Sequence, residues 1–138
     1  FGTSNVSEDE NDTRYIKMNG RKIYEFALTE VPKAMKECLE KSGKTITDIK
    51  KIFIHQANEK MDDAIIHRFY KMHQTPMPPN VMPMSIQELG NSSVATVPTL
   101  LDLVVKGKIQ GQELNRGDVI MFASVGAGMN INSIVYQY

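Results

Sequence analysis

The run Ile52-Phe53-Ile54-His55-Gln56-Ala57-Asn58 constrains the fold of this chain more than any other stretch. An apolar, strand-like segment ends at a histidine, and three residues later an amphipathic helical pattern begins. A second stretch, Gly90-Asn91-Ser92-Ser93, repeats the logic with an asparagine in a turn just before a helix. Both put a polar side chain at the end of an element, where groups distant in sequence can converge on one pocket.

The rest of the pattern builds around these two points. Residues 1 to 13 are polar and acidic with almost nothing to bury, so 1–15 reads as a disordered lead-in or linker and 16–138 as the domain. Met18-Asn19-Gly20-Arg21 looks like an opening turn. Ala27, Leu28, Val31, Ala34, Met35, Cys38 and Leu39 then recur at helical spacing, with Gly43 as the stop. Pro32 inside that run predicts a kink or a break. After the strand at 51–54, Met61, Ala64, Ile65, Phe69 and Met72 form one face of the clearest helix. Residues 74–84 carry four prolines and read as a loop, with room for a short strand at its end. Ser92 or Ser93 is placed to cap a helix bearing Val94, Val97, Leu101, Val104 and Val105, which tolerates Pro98 in its first turns and closes at Gly107.

Val119 to Ala123 is a buried strand, Gly126-Ala127-Gly128 a tight turn, and Met129 to Tyr138 a last strand. The alternation Ile131, Ser133, Val135, Gln137 gives that strand one better-buried face. The order helix, strand, helix, loop, helix, strand, turn, strand is that of an α/β domain whose final pair can form an antiparallel hairpin. No internal repeat is evident.

Composition narrows the function classes. The chain has 138 residues, enough for one domain with a real core. Sixteen basic residues balance sixteen acidic ones, which argues against bulk electrostatic binding to nucleic acid or to a membrane. A single cysteine excludes an intrachain disulfide framework and suits a reducing, cytoplasmic compartment. No apolar run approaches the ~20 residues of a membrane span. The chain opens at Phe1 with no signal-peptide pattern, as expected of a fragment or a processed product.

Each candidate residue has a functional and a structural reading. A neutral imidazole at His55 can donate or accept a hydrogen bond at a reacting oxygen, but a histidine at a strand end can also be core or cap. Asn91 offers an amide donor that does not titrate, suited to a developing oxyanion or enolate, yet Gly-Asn-Ser-Ser is also good helix-start chemistry. Gly126 and Gly128 suit a hairpin or a close approach of backbone to a ligand. They lack the following helix and third glycine of a dinucleotide fingerprint. His55, His67 and His73 do not have zinc-ligand spacing, so no metal is expected. Cys38 sits on an apolar helical face and reads as packing. Lys60, His67, Arg68 and Lys71 fall near one side of their helix, either as a solvated face or as a docking patch for an acidic partner.

Taken in order, His55-Gln56-Ala57-Asn58, Gly90-Asn91-Ser92-Ser93, Gly107-Lys108-Ile109, Gly117-Asp118-Val119 and Gly126-Ala127-Gly128 resemble the C-terminal half of β-ketoacyl-acyl carrier protein synthase III. Met18-Asn19-Gly20-Arg21 resembles the opening of that half. The resemblance implies a thiolase-like half-domain, a mixed β-sheet packed with helices. It also implies a Cys-His-Asn triad in which His55 and Asn91 are two members and the cysteine lies in a first half. By the same resemblance Asn58, Gly126 and Gly128 meet the substrate, and Lys60, His67, Arg68 and Lys71 dock the carrier protein. The implied substrates are acyl-CoA and malonyl-acyl carrier protein, with no cofactor. The implied partners are the acyl carrier protein, the N-terminal half and a second copy in a homodimer. The Pro- and Met-rich loop, Ala123-Ser124-Val125, Met129 and Ile131 depart from the family pattern at acyl-pocket and gate positions, which leaves the primer acyl group open. Two rivals stand beside this reading: a non-catalytic docking module, and a secondary-metabolite acyltransferase of the same family.

Overall fold

The computed structural model describes residues 14, 15 and 17–138, with the backbone alone at Ala127. All but two residues of the predicted lead-in therefore lie outside the described residues. The elements run α1 (Gly20–Ser42), β1 (Ile49–Ile54), α2 (Glu59–Met72), α3 (Ile86–Leu89), α4 (Thr96–Val105), β2 (Val119–Gly126) and β3 (Asn130–Gln137). The strands form one mixed sheet in the order β1-β2-β3, with β1 parallel to β2 and β2 antiparallel to β3.

The sheet divides the core in two. Ile49, Ile52, Ile54, Met121 and Ala123 face α1 and α2, whereas Phe53 and Ile120 face Leu100 and Val104 of α4. Strict alternation would put Ile49 and Ile52 on opposite faces. A register shift between Ile49 and Lys51 adds one residue to β1 and returns both isoleucines to the α1–α2 side.

Several expectations are corrected. The segment Met18–Arg21 is a helix start rather than a turn: Asn19 is the N-cap, and its Oδ1 accepts from the Lys22 N–H at 3.2 Å. Helix α1 then runs through Pro32 without a break. Proline inside a helix costs about 3 kcal/mol. Val31, Met35 and Leu39 are buried to 0–1% exposure along the same stripe, and each contributes roughly 1.5–3 kcal/mol, so packing outweighs the lost hydrogen bond. Helix α2 buries Asp62, Ile66 and Tyr70 as well as Ile65 and Phe69, a wider contact than one stripe. The Pro-rich loop forms no strand; Val81 accepts the Ile52 N–H at 2.8 Å, and the short helix α3 follows. Lys51, 5% exposed, ties that loop to the sheet by donating from Nζ to the Asn80 carbonyl and to Gln112 Oε1, both at 2.6 Å. Neither Ser92 nor Ser93 caps with its side chain, and Ala95 is the N-cap of α4.

The antiparallel hairpin matches expectation, and the final strand does in part: it begins at Asn130, and Gln137, expected on the better-buried face, is exposed at the strand end. Ile131, Ser133 and Val135 are half-buried, and Asn130, Asn132, Ile134 and Tyr136 are exposed. The turn is left-handed at Gly128 (φ 78°), where glycine suits the geometry, and at Met129 (φ 58°), where a side chain is disfavoured. Cys38 is free and half-buried, not fully in the core.

Candidate active site

Strand β1 ends at Ile54, and the His55 N–H continues the ladder by donating to the Ala123 carbonyl at 2.9 Å. This fixes the histidine backbone at the C-terminal edge of the sheet. Gln56 is fully buried. Its Nε2 donates to the Pro83 carbonyl (3.1 Å), and its Oε1 accepts from the Ser85 N–H (2.9 Å) and the Ser85 hydroxyl (3.3 Å). The glutamine therefore anchors the Pro-rich loop to the His55 strand. Asn58 caps α2, with its Oδ1 accepting from the Met61 N–H at 3.2 Å. One tetrapeptide thus supplies a candidate reactive group, an anchor and a helix cap.

Asn91 arrives from the opposite direction. The chain leaves α3 through Gly90 at φ 64° and passes Ser93 at φ 55°. Serine in the left-handed region is strained, as backbone near ligand sites often is. Asn91 Oδ1 accepts the Ser93 N–H at 2.8 Å and holds that turn. With the oxygen committed, the amide NH2 is the end that Asn91 presents. The His55 ring meets the same turn: burial pushes its pKa below the usual histidine value, and hydrogen bonding with the Ser93 backbone partly opposes the shift. At neutral pH the ring is uncharged.

His55, Asn91, Gly126 and Gly128 all line one cavity of about 990 Å³. Its walls are α1 at Ile23 and Ala27 and the face of the β2–β3 hairpin. Val94, beside Asn91, is 91% exposed. Asn58, Lys60, His67, Arg68 and Lys71 do not line it. The last four are exposed on α2, where positions 60, 67 and 71 make one stripe and Arg68 flanks it. Asp63 partly offsets the charge, lying 3.2 Å from His67 Nδ1. Cys38 is not a lining residue either. Among the described residues, no three His, Cys, Asp or Glu side chains group as a metal site.

Sequence reasoning missed three parts of this region. The hairpin contributes Ser124, Asn130 and Asn132 to the cavity wall. Asparagine is depleted in strands, so the pair at i and i+2 was the available signal. The strain at Ser93 has no signature in composition. Asp62 lies one turn inside α2 at 1% exposure, and neither of its oxygens has a well-formed hydrogen bond. Burial pushes its carboxyl up to about 7, with the Asn58 backbone opposing and Glu59 adding to the rise.

Comparison with known proteins agrees with this architecture. Residues 39–138 match the model for the C-terminal domain of 3-oxoacyl-[acyl-carrier-protein] synthase III. The chain is 32% identical over 124 residues to β-ketoacyl-[acyl-carrier-protein] synthase III of Microcystis aeruginosa, covering 89% of this chain and 34% of that protein. It is 30% identical over its full length to the same enzyme of Oenococcus oeni, covering 40% of it. The crystal structure of the Thermus thermophilus synthase III superposes with a TM-score of 0.75 at 27% identity, over 98% of this chain and 40% of that one. The chain spans between a third and two-fifths of the length of these relatives. By its fold and its matched residues, the chain belongs to the family of C-terminal domains of 3-oxoacyl-[acyl-carrier-protein] synthase III.

Proposed function

We propose that this chain is the His-Asn half of the active site of a decarboxylating condensing enzyme, a 3-oxoacyl-[acyl-carrier-protein] synthase III of fatty-acid synthesis. The observation that carries the reading is the convergence of His55 and Asn91 on one cavity, from two separate parts of the chain. The remaining part of the protein supplies the nucleophilic cysteine. Its thiolate attacks the thioester carbonyl of acyl-CoA and expels the CoA thiolate, leaving an acyl-enzyme. Malonyl-acyl carrier protein then loses carbon dioxide, and the electron pair of the breaking C–C bond becomes an enolate. The enolate carbon attacks the acyl-enzyme carbonyl, and the cysteine thiolate leaves.

His55 and Asn91 serve the second step. The enolate places negative charge on the malonyl thioester oxygen; the Asn91 amide donates to it, and the one N–H of the neutral His55 ring donates to it on turning from the Ser93 backbone, so no proton transfer is needed. The lowered pKa of His55 suits this role, because an uncharged ring stays a hydrogen-bond partner across the physiological range. No cofactor enters this chemistry. Gly126 and Gly128 let backbone approach the thioester. Asn58, which caps α2 through its Oδ1 and leaves its amide nitrogen uncommitted, is assigned to pantetheine by family resemblance, and Lys60, His67, Arg68 and Lys71 are assigned as the docking stripe for the acidic carrier protein. A cytoplasmic homodimer, each copy joined to its own N-terminal half, completes the proposal.

The test is Asn91→Ala in the complete protein. Loss of one such donor costs on the order of 3 kcal/mol in the transition state. Carbon dioxide release from malonyl-carrier protein should fall about a hundredfold or more, while single-turnover transfer of labelled acyl groups from CoA is far less affected. Release at the wild-type rate would reduce the relationship to one of fold and favour a docking module.

A further inference from the structure

The hairpin wall of the cavity has a chemical gradient that the condensation reaction does not require. The β2–β3 register pairs Phe122 with Ile134, Ser124 with Asn132, and Gly126 with Asn130. Side chains alternate along a strand, so these six positions share one face of the hairpin, and all six line the cavity. Moving toward the tip, the face changes from an apolar pair to a hydroxyl and a carboxamide, then to a glycine and a second carboxamide. The change occurs beside the candidate reactive group, because Ser124 follows Ala123, whose carbonyl accepts the His55 N–H.

Ser124 is half-buried and Asn132 exposed, so both side chains are open to the cavity. A strand facing an apolar cavity favours β-branched and aromatic side chains and disfavours asparagine. On the other face, Ser133 satisfies its hydroxyl by donating to the Phe122 carbonyl at 3.1 Å. The Ser124 and Asn132 side chains have no hydrogen-bond partner among the described residues. Together they offer donors and acceptors with no charge, a combination that matches neutral oxygen and amide groups and not carboxylates or phosphates.

We propose that Ser124 and Asn132 form a hydrogen-bonding subsite that selects thioester substrates by their neutral polar groups. The proposal rests on the condensing-enzyme reading above and goes further by assigning specificity to the hairpin. Two parts of a thioester substrate carry such groups: a hydroxyl or carbonyl on the acyl chain, and the amides of the pantetheine arm.

The experiment measures single-turnover acylation of the complete protein by butyryl-CoA, 3-hydroxybutyryl-CoA and butyryl-N-acetylcysteamine, the last lacking the outer part of the arm. A neutral hydrogen bond nets roughly 1 kcal/mol, so the expected effect of Asn132→Val is a change in substrate ratios of about fivefold to tenfold. A fall in the ratio of 3-hydroxybutyryl-CoA to butyryl-CoA places the contact on the acyl chain. A fall in both CoA esters relative to the N-acetylcysteamine ester places it on the arm. Asn132→Thr, which replaces the carboxamide by a hydroxyl on a strand-forming residue, should recover part of the ratio. Ser124→Ala, a smaller change, should move the same ratio in the same direction. Wild-type ratios in both Asn132→Val and Ser124→Ala overturn the subsite. Failure of the wild-type protein to be acylated by any of the three esters, or by any member of a straight-chain acyl-CoA series, instead overturns the condensing-enzyme reading, and the subsite with it.

Discussion

The two faces of the sheet differ in how completely the described residues cover them. On the α1–α2 side, Ile52, Ile54 and Met121 are sealed beneath Val31, Met35, Ile65 and Phe69, all at 0–1% exposure. On the α4 side the buried cluster is four residues, Phe53, Leu100, Val104 and Ile120. Beyond it Ile134 and Tyr136 are 58% and 53% exposed. His55, Asn91 and the hairpin tip sit at the edge of this open side. One face is finished by local sequence, and the other presents apolar surface of the kind that marks an interface. The candidate chemistry lies at the edge of the less covered face.

The sharpest way to break this contrast is to cut into each core. Leu39→Ala on the closed side should cost about 3–4 kcal/mol in urea unfolding of this chain, and Leu100→Ala on the open side nearer 2 kcal/mol, because the smaller cluster has more freedom to relax. Equal costs would mean that the α4 layer is as rigidly packed as the other.

Asp62 tests the closed side by pH. Its folded pKa is raised to about 7 from an ordinary 3.8. The folded state therefore holds the proton more tightly than the unfolded state. Stability is greatest below about pH 4, declines as pH rises from about 4 to 7, and is flat above that range. The full decline is on the order of 4 kcal/mol. Asp62→Asn should remove this slope, so that the variant exceeds the parent at pH 8 and approaches it near pH 4. Parallel stability profiles for the two proteins would show that Asp62 is hydrated in solution.

Ile134→Lys probes the open side. An exposed substitution changes the stability of the isolated chain by less than about 0.5 kcal/mol. It should, however, suppress self-association of the chain measured by light scattering at high concentration. A parent chain that is already monomeric under those conditions would show that the exposed face is too small to drive assembly. The smallest effect is expected far from both cores. Arg68→Glu in the complete protein should weaken use of carrier protein and flatten its salt dependence, acting on association rate more than on chemistry. An equal loss in acylation by CoA would remove the docking assignment.

Local chemistry made part of this molecule legible from its residues. The strand ending at His55, the helix after it and the hairpin all follow from periodicity and turn composition, which depend on neighbours a few residues apart. The order of His55-Gln56-Ala57-Asn58 and Gly90-Asn91-Ser92-Ser93 identified the family and the two candidate reactive side chains. Other properties depend on contacts distant in sequence, and only the tertiary structure decided them. Pro32 stays inside α1 because the packing of Val31, Met35 and Leu39 exceeds the helix penalty. Gln56 is an anchor because the Pro83–Ser85 loop passes beside it. Asp62 is buried because α2 is covered on more than one side. Ser124 and Asn132 share the cavity face because β2 is registered against β1 and β3 against β2, and a slip of one residue in β3 would have turned Asn132 away.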